Sequence, residues 1–482
     1  MQGNENNWNT ENNKIMKLNS TLIGSTVVAA LGGLLFGFDT VIISGAQTQL
    51  KEIFQLDGFM QGFMVASALI GTIIGSLIAG KPGDVFGRRD SLKVVGLVYL
   101  VSALGCALAW SFSSLIIFRL IGGIAIGASS VLGPLYLVEI APTRLRGRLV
   151  GFFQFNVILG ILLAYVANYL LGLANFGPTE WRWKLGVVAL PAAGFMISLF
   201  FIPRSPRWLA MKNLYGEARL VLEKIGTQDT DDRLEAIRRS IHIQQGRAAE
   251  PLFRRAYMLP ILLAWGVAMF NQLTGINALL YYLNPIFTMA GFDKVSGDMQ
   301  SVAVGATMLV FTMFGMLIID HVGRRLLLLA GSVGMAIALG GVAAIFNTGE
   351  HKGLLIWLLL FYMVFFSFGQ GAVIWVYISE VFPNVVRGKG QTLGSFTHWF
   401  MAAVVSWVFP VFARNAGEPG AGVPFVFFAA MMVLQFFVVW KFFPETKGIA
   451  LEDMEEAMSG KGVQSNGKPA LALNSNDVVV NS

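Results

Sequence analysis

The chain has 482 residues, of which 55% are hydrophobic and 13% are charged, and its mean hydropathy is +0.64. Soluble domains carry about 25% charged residues, so the composition excludes an ordinary soluble protein and indicates a polytopic membrane protein. The net charge of +7 would suggest a nucleic-acid partner only if the positions of the basic residues were ignored.

Apolar segments long enough to cross a bilayer, at about 20 residues each, divide the chain into two similar parts. The polar residues 1–19 are predicted to be disordered and show no cleavable signal sequence. A first bundle, 20–203, contains six segments, at about 21–46, 60–80, 92–110, 114–138, 150–172 and 185–202. The charged stretch 204–255 is predicted to form short cytoplasmic helices. A second bundle, 256–443, precedes a polar tail, 444–482, and contains segments at about 257–287, 301–319, 326–346, 354–379, 391–412 and 423–443.

The basic residues give the predicted orientation. Most of the 35 Lys and Arg residues fall in loops on one side of the segments, and both ends of the chain share that side. Because basic loops stay in the cytoplasm, both termini are predicted to be cytoplasmic, in an inner or plasma membrane. The same rule accounts for the positive charge, so the expected surroundings are a lipid bilayer and no nucleic acid is expected as a partner.

Two motifs occur once in each bundle, six segments apart. After the second and eighth segments, GDVFGRRDSLK (83–93) matches DHVGRRLLLL (320–329). After the fourth and tenth, YLVEIAPTRLRGR (136–148) matches YISEVFPNVVRGK (377–389). The recurrence indicates that the second bundle is a parallel repeat of the first. The sequence therefore predicts an all-α membrane protein with twelve transmembrane helices in two six-helix bundles.

The repeated motifs place acids and arginines in short loops on the cytoplasmic side. An acid on one loop and a guanidinium on another can form a bidentate pair. Such a network could hold the inner gate shut while the outside is open and break on inward opening; fixed loop packing is the alternative. The candidate gate residues are Asp84, Arg88, Arg89, Glu139, Arg146, Asp320, Arg324, Arg325, Glu380 and Arg387.

The stretch NQLTGINALLYY (271–282) carries carboxamides inside an apolar segment. On an ideal helix Gln272 and Asn277 lie roughly 140° apart. They can converge on one ligand only if the helix unwinds between them, and Gly275 is placed to allow this. Discontinuous membrane helices of this kind bind solutes in transporters. The alternative is that these side chains hold neighbouring helices together.

Glycines four residues apart occur in several segments. Gly71 and Gly75 in the second segment, and Gly123 and Gly127 in the fourth, follow this spacing. Since it lets helix backbones approach closely, these residues are predicted to form close-packing faces.

Taken together, the motifs resemble those of the sugar porter family of the major facilitator superfamily, from about Leu22 to Gly448. Besides the repeated pairs, they include PRSPRWL (203–209), QLTGIN (272–277) and PETKG (444–448). The resemblance implies the major facilitator fold, alternating access, and a sugar held between the bundles near mid-membrane. It also implies sugar contacts at the matching positions, which are Gln154, Asn271, Gln272, Asn277, Trp375 and His398.

Three residues depart from the family pattern. Asn271 stands where the family commonly has a first Gln before Gln272, and His398 stands where an Asn or Gln commonly precedes the Trp of the eleventh helix. Arg204 stands where PESPR has Glu. The first two fall at implied sugar contacts, so the sequence does not name one sugar. His398 and Trp375 are each as compatible with packing as with binding.

Asp39 lies inside the first apolar segment, and Arg119 in the fourth is the only basic residue placed within the membrane, since Lys93 and Lys441 lie at the cytoplasmic ends of their segments. A charge at this depth costs about 2.5–3.5 kcal/mol on insertion scales, so it needs a partner or a proton. One interpretation is a static ion pair. In the other, Asp39 protonates in the outward-open state and releases Arg119, then deprotonates in the inward-open state. The resemblance favours the second, since proton-coupled sugar porters have Asp at this position and facilitative ones commonly have Asn.

The sequence thus predicts proton-coupled import of a hexose or pentose, with Asp39 and Arg119 coupling the proton. A facilitative uniporter, a symporter of a polyol such as inositol, and a transporter-like sugar sensor are the alternatives. The sequence shows no nucleophile and base set, phosphate-binding loop or metal-ligand cluster. An enzyme is therefore not expected, no metal or cofactor is predicted, and the protein is expected to function as a monomer.

Overall fold

The computed structural model describes residues 19–142, 145–227, 229–246, 250–383 and 385–447. Within these ranges the chain is helical and contains no strand. Eleven helical stretches of this part of the chain are long and apolar enough to cross a membrane, as expected for an all-α membrane protein. The head predicted to be disordered, 1–19, and the polar tail, 444–482, lie almost wholly outside the described residues.

Nine α-helices form the described part of the first half, 19–142 and 145–203. The first begins after Asn19, whose side chain accepts a hydrogen bond from the N–H of Thr21 at 3.0 Å. Several helices extend beyond the apolar segments because charged residues continue them at the membrane surface. Their bounds are α1 Ser20–Ile42, α2 Gln47–Ile53, α3 Gly58–Ile78, α4 Gly80–Val85, α5 Arg88–Ala107, α6 Phe112–Ile140, α7 Arg146–Ala174, α8 Glu180–Gly186 and α9 Ala189–Ser198.

The segment expected at 185–202 is not one continuous helix. α8 and α9 are separated by a turn at Val187 and Val188. Pro191 in the first turn of α9 has no N–H, so it cannot extend the hydrogen bonding of α8, and the N–H of Leu190 binds Val187 O at 3.1 Å instead. Neither helix alone has the length of a crossing, which is why eleven long spans are found. Together α8 and α9 form the sixth of twelve crossings.

The linker between the halves is helical, as predicted. It contains α11 Tyr215–Lys224 and α12 Thr230–Gly246. A third linker helix, α10 Pro206–Met211, was not predicted, although Ser205 as N-cap and Pro206 at the first position are start signals. The side chain of Asn19 donates to Lys224 O at 2.7 Å, so α1 begins on the side of the membrane where the linker lies, here called the linker side.

Eight α-helices form the second half within the described residues 256–383 and 385–447, and two of its crossings are interrupted. The seventh crossing breaks at Gly275, and the tenth contains a π-helical turn, Ser367–Gly371. The bounds are α13 Met258–Leu273, α14 Ile276–Met289, α15 Lys294–Val322, α16 Arg324–Thr348, α17 Leu355–Phe366, α18 Ala372–Glu380, α19 Arg387–Phe412 and α20 Val423–Phe442.

Glycines bring α3 and α6 into backbone contact. A Cβ at Gly71 would overlap the carbonyl of Leu120, and a Cβ at Gly123 would overlap the carbonyl of Ala68. Only glycine permits this approach. The predicted close-packing faces are therefore confirmed, and they pack against each other.

The two halves touch on the side away from the linker, here called the far side. Gln47 Nε2 donates to Tyr281 O at 2.6 Å, and the hydroxyl of Tyr165 donates to Leu280 O at 2.8 Å. Both acceptors belong to α14, so this helix closes against the first half. On the linker side, the acids of the repeated motifs pair with arginines of their own half. Those charges therefore do not tie the halves together.

Candidate functional site

The seventh crossing is broken where the sequence predicts unwinding. α13 ends at Leu273 and α14 starts at Ile276, with Gly275 between them at φ +82°. Thr274 restores the interrupted hydrogen bonding, because its hydroxyl donates to Asn271 O at 2.7 Å and accepts from the N–H of Ile276 at 3.1 Å. A side chain at Gly275 would also strike the ring of Phe428. The break is thus a fixed feature of the fold.

The break brings three carboxamides together. Gln272 Nε2 donates to Asn271 Oδ1 at 2.9 Å, and Asn277 Nδ2 donates to Gln272 Oε1 at 2.8 Å. Gln272 and Asn277 would lie on different faces of an unbroken helix. Their contact confirms the predicted convergence and forms a buried surface with both hydrogen-bond donors and acceptors.

Aromatic rings border the carboxamides. His398 on α19 lies with its Nδ1 3.2 Å from Gln272 Nε2, so the amide N–H group can donate to an unprotonated ring nitrogen. The His398 ring centroid is 5.0 Å from that of Trp375 and 4.8 Å from that of Trp399. Trp375 is 37% exposed. An open indole face beside amides can cover the C–H face of a polyhydroxylated ligand whose hydroxyl groups bind the amides.

Two further glutamines, Gln154 and Gln370, differ in whether they contact the carboxamides. Gln154 lies half-buried on α7 in the other half, and the described hydrogen bonds do not link it to the carboxamides. Gln370 was missed by the sequence analysis, yet Asn271 Nδ2 lies 3.5 Å from both its carbonyl oxygen and its Oε1. The signal available was a lone glutamine between two glycines in an apolar stretch. The π-helical turn of the tenth crossing places it beside Asn271.

Asp39 and Arg119 do not form an ion pair in the described part of the chain. Asp39 is half-buried in the last turn of α1. Arg119 is buried, its Nε donates to Met64 O at 3.1 Å, and its Nη2 has no hydrogen-bond partner. The interpretation as a static ion pair therefore does not describe this structure.

In the first half, the GRR motif binds the other repeated motif. Arg88 lies 2.7 Å from Asp84 (Nη1 to Oδ1) and 3.0 Å from Glu139 (Nη2 to Oε1). Arg89 instead pairs with Asp90 at 2.9 Å and donates to Ile202 O at 3.2 Å. One arginine thus joins α4, α5 and the end of α6.

The second half repeats this arrangement. Arg324 lies 2.9 Å from Asp320 and binds Glu380 through two N–H groups, at 3.0 and 2.7 Å. Arg325 donates to Trp440 O. The network of acids and guanidinium groups expected from separate loops is therefore present in each half.

Arg387, the arginine of the second repeated motif in the second half, does not lie where Arg324 lies beside Glu380. Arg387 donates to Phe382 O at 3.4 Å and does not pair with Glu380 among the described contacts. The side chain of Arg146, its counterpart, lies outside the described side chains. Within the described contacts, each glutamate pairs with the first arginine of the GRR motif in its own half.

Comparison with known proteins agrees with this architecture. Residues 25–458 match the family model described as "Sugar (and other) transporter". The chain is 35% identical to the D-xylose-proton symporter of Escherichia coli strain K12, over 91% of this chain and 96% of that protein. It is also 35% identical to the arabinose-proton symporter of Bacillus subtilis, over 89% of this chain and 93% of that protein.

A solved structure matches at the level of the fold. The inward-open conformation of the xylose transporter XylE from E. coli has a TM-score of 0.80 to this structure at 33% identity, covering 90% of this chain and 99% of that chain. These matches show a multi-pass membrane transporter with the major facilitator fold, and not an enzyme. The chain belongs to the sugar transporter family.

Proposed function

We propose that this protein imports a monosaccharide, a pentose or a hexose, together with a proton by alternating access. The observation that carries the proposal is the cluster of carboxamides and an exposed indole at the helix break. The names of two relatives, a D-xylose-proton and an arabinose-proton symporter, support the same substrates.

The sugar binds at the break between α13 and α14. Asn271, Gln272 and Asn277 bind its hydroxyl groups, while Trp375 covers an apolar face of the ring. His398 offers a ring nitrogen to the same site, and its contact with Gln272 lets it set the orientation of that amide. Gln154 approaches from the first half, so that a bound sugar connects the two halves.

Asp39 carries the proton. Since its carboxyl group is unpaired here, it is free to release a proton to the linker side, and the nearby guanidinium of Arg119 stabilises the resulting carboxylate. Protonation from the far side removes that attraction. A membrane potential of about 100 mV and a difference of about 1 pH unit supply about 2.3 and 1.4 kcal/mol per proton. One proton per sugar then supports a gradient of roughly several hundredfold.

The repeated charged motifs form the inner gate. In this structure Arg88 and Arg324 bind acids of their own halves while the halves meet on the far side, so closing the gate requires further contacts of these motifs between the halves. The linker side is cytoplasmic, with both termini there, because the basic residues concentrate on it. The bundles 20–203 and 256–443 move about the sugar as units, the membrane is an inner or plasma membrane, and one chain suffices.

Uptake into proteoliposomes tests the coupling. Labelled pentoses and hexoses are offered with and without an imposed pH gradient to the wild type and to Asp39→Asn. One sugar should accumulate above equilibrium in the wild type, while the variant should only equilibrate it. Asp57→Asn is the matched control, because Asp57 caps α3 and Asn caps equally well. A wild type indifferent to the gradient would mean a facilitative uniporter.

A second measurement tests the sugar site. Gln272→Ala should raise KM at least tenfold with normal insertion, since it removes a side chain bound to both Asn271 and Asn277. Gln300→Ala is the control, because this glutamine lies on α15 and donates to Ser296 instead. Equal KM values in the two variants would mean that the carboxamide cluster does not bind the sugar.

A further inference from the structure

Four charged residues meet on the far side, where the sequence shows only loop charges. Glu180 and Lys184 lie on α8 of the first half, and Lys294 and Asp298 lie on α15 of the second. The Lys184 ammonium is fully buried, 2.9 Å from Glu180 and 3.3 Å from Asp298. Lys294 lies 2.7 Å from the other oxygen of Glu180. Two lysines and two acids balance, so the cluster has no net charge.

Two of the three ion pairs cross between the halves. Lys184–Asp298 and Lys294–Glu180 join α8 to α15, whereas Lys184–Glu180 lies within α8. Lys184 also donates to Gly45 O at 3.1 Å. A buried ammonium is tolerated only when it is paired and hydrogen-bonded. Separating the halves would leave Asp298 without its cation and would break both cross pairs.

The cluster also reaches the helix that carries part of the sugar site. Asn284 on α14 donates its amide N–H to Asp298, and its side-chain oxygen accepts from the hydroxyls of Ser44 and Ser301. α14 starts at the break, where Asn277 lies. The charges on α15 therefore hold in place the far-side helix that must move for the far side to open.

We propose that Glu180, Lys184, Lys294 and Asp298 form a latch that holds the far side closed. Its two cross pairs form only when the halves meet there, so it stabilises the inward-open state and slows the return to the outward-open state. Pairs that lie inside one half, such as those of Arg88 and Arg324 on the linker side, would not be broken when the halves separate. This inference rests on the alternating access proposed above.

Distance measurements between spin labels, without sugar or a proton gradient, test the latch. Labels at Gln55→Cys and Glu350→Cys occupy exposed far-side positions of the two halves, in a background where the single cysteine, Cys106, is replaced by Ala. Asp298→Asn should raise the ratio of long to short far-side distances at least tenfold. The variant removes the ion pair, while the Asn oxygen can still accept from Asn284.

Lys184→Met is the second variant, in case the first does not fold, and it should shift the ratio in the same direction. Glu52→Gln is the control, because it removes an exposed far-side carboxylate and should leave the distances unchanged. Unchanged distances in folded protein of both latch variants would overturn the proposal. Because no transport is measured, this outcome is independent of the sugar and the coupling ion.

Discussion

The two linker-side corners of the molecule share one plan but use opposite charges. In each, a buried arginine binds a glutamate at a helix end, and a tyrosine hydroxyl donates to a proline carbonyl. The tyrosine bonds are Tyr136 to Pro203 O at 2.8 Å and Tyr377 to Pro444 O at 3.3 Å. The residue after the proline is Arg204 in the first half and Glu445 in the second. The repeat thus keeps the geometry while inverting this charge.

The second corner uses its acid as a helix cap. The carboxylate of Glu445 accepts from the backbone N–H groups of Arg324 at 2.8 Å and Arg325 at 3.0 Å. The start of a helix carries partial positive charge, which favours an anion there. Thr446 adds a hydrogen bond to Glu380 at 2.6 Å. The carboxylates of Glu445 and Glu380 therefore join the start of α16 to the residues that follow Pro444.

The first corner cannot form this cap, since Arg204 is a cation. Arg204 instead binds Asp90 at 3.1 Å, and Asp90 lies in the first turn of α5, where an acid is favoured. A cavity of about 520 Å³ borders this corner, lined in part by Arg88, Glu139 and Lys212. Each corner therefore balances its charges locally. Arg204 is balanced by Asp90 in the first corner, and Glu445 is balanced by the positive start of α16 in the second.

The largest expected effect comes from removing the buried arginine. Arg88→Leu should cost about 3–5 kcal/mol, the range for breaking a buried ion pair, because it leaves Glu139 only 5% exposed and without Arg88. Arg324→Leu should cost less, since Glu380 is 20% exposed and keeps Thr446. Thermal midpoints in detergent measure the difference, with Arg239→Leu on the exposed linker as the control. Equal shifts would contradict the comparison.

The next effect comes from the cap. Glu445→Ala should cost about 1–2 kcal/mol, because two backbone N–H groups lose their acceptor. Glu445→Gln should cost less, since its amide oxygen can still accept. The same thermal midpoints rank the two variants. An equal loss in both would indicate that the negative charge matters and the acceptor does not.

A smaller effect tests whether the corners can be exchanged. Arg204→Glu should cost about 0.5–1 kcal/mol by placing like charges beside Asp90. Leu326 occupies the position in the second half that matches Asp90. Adding Asp90→Leu should therefore restore stability, with a coupling of at least about 0.5 kcal/mol in the double-mutant cycle. Additive losses would mean that the first corner cannot adopt the second arrangement.

The smallest effect is expected for the pair of Arg204 and Asp90. Their side chains are 41% and 26% exposed, and surface pairs contribute about 0–1 kcal/mol. Arg204→Gln should shift the thermal midpoint little, and added salt should remove the shift. A large shift that persists in salt would show that the first corner depends on this pair as strongly as the second depends on its cap.

Features encoded within one helix or one repeat were predictable from the sequence. The twelve crossings, the repeat, and the break at Gly275 follow from hydropathy, motif spacing and the conformation that only glycine adopts readily. The meeting of Gln272 and Asn277 then follows from the break. All of these depend on residues close together in the chain.

Contacts between distant helices were less predictable. Glu139 pairs with Arg88 of the other repeated motif, because the ends of α5 and α6 lie side by side in the fold. Asp39 and Arg119 are not paired with each other, because Arg119 instead donates to the carbonyl of Met64. The far-side charges were counted only as loop charges, since nothing in the sequence indicates that α8 and α15 meet. Which of these side chains pair is decided by how the helices pack against each other in the fold.

The divided sixth crossing bears on how the chain is synthesised. α9 has 10 residues and spans about 15 Å, half of the hydrocarbon thickness of about 30 Å. Alone it offers the insertion machinery little to recognise, while α7 before it is long and apolar. We therefore expect the fifth and sixth crossings to enter the lipid together as a hairpin. The longer helix would then keep the shorter one in the membrane before the linker leaves the ribosome.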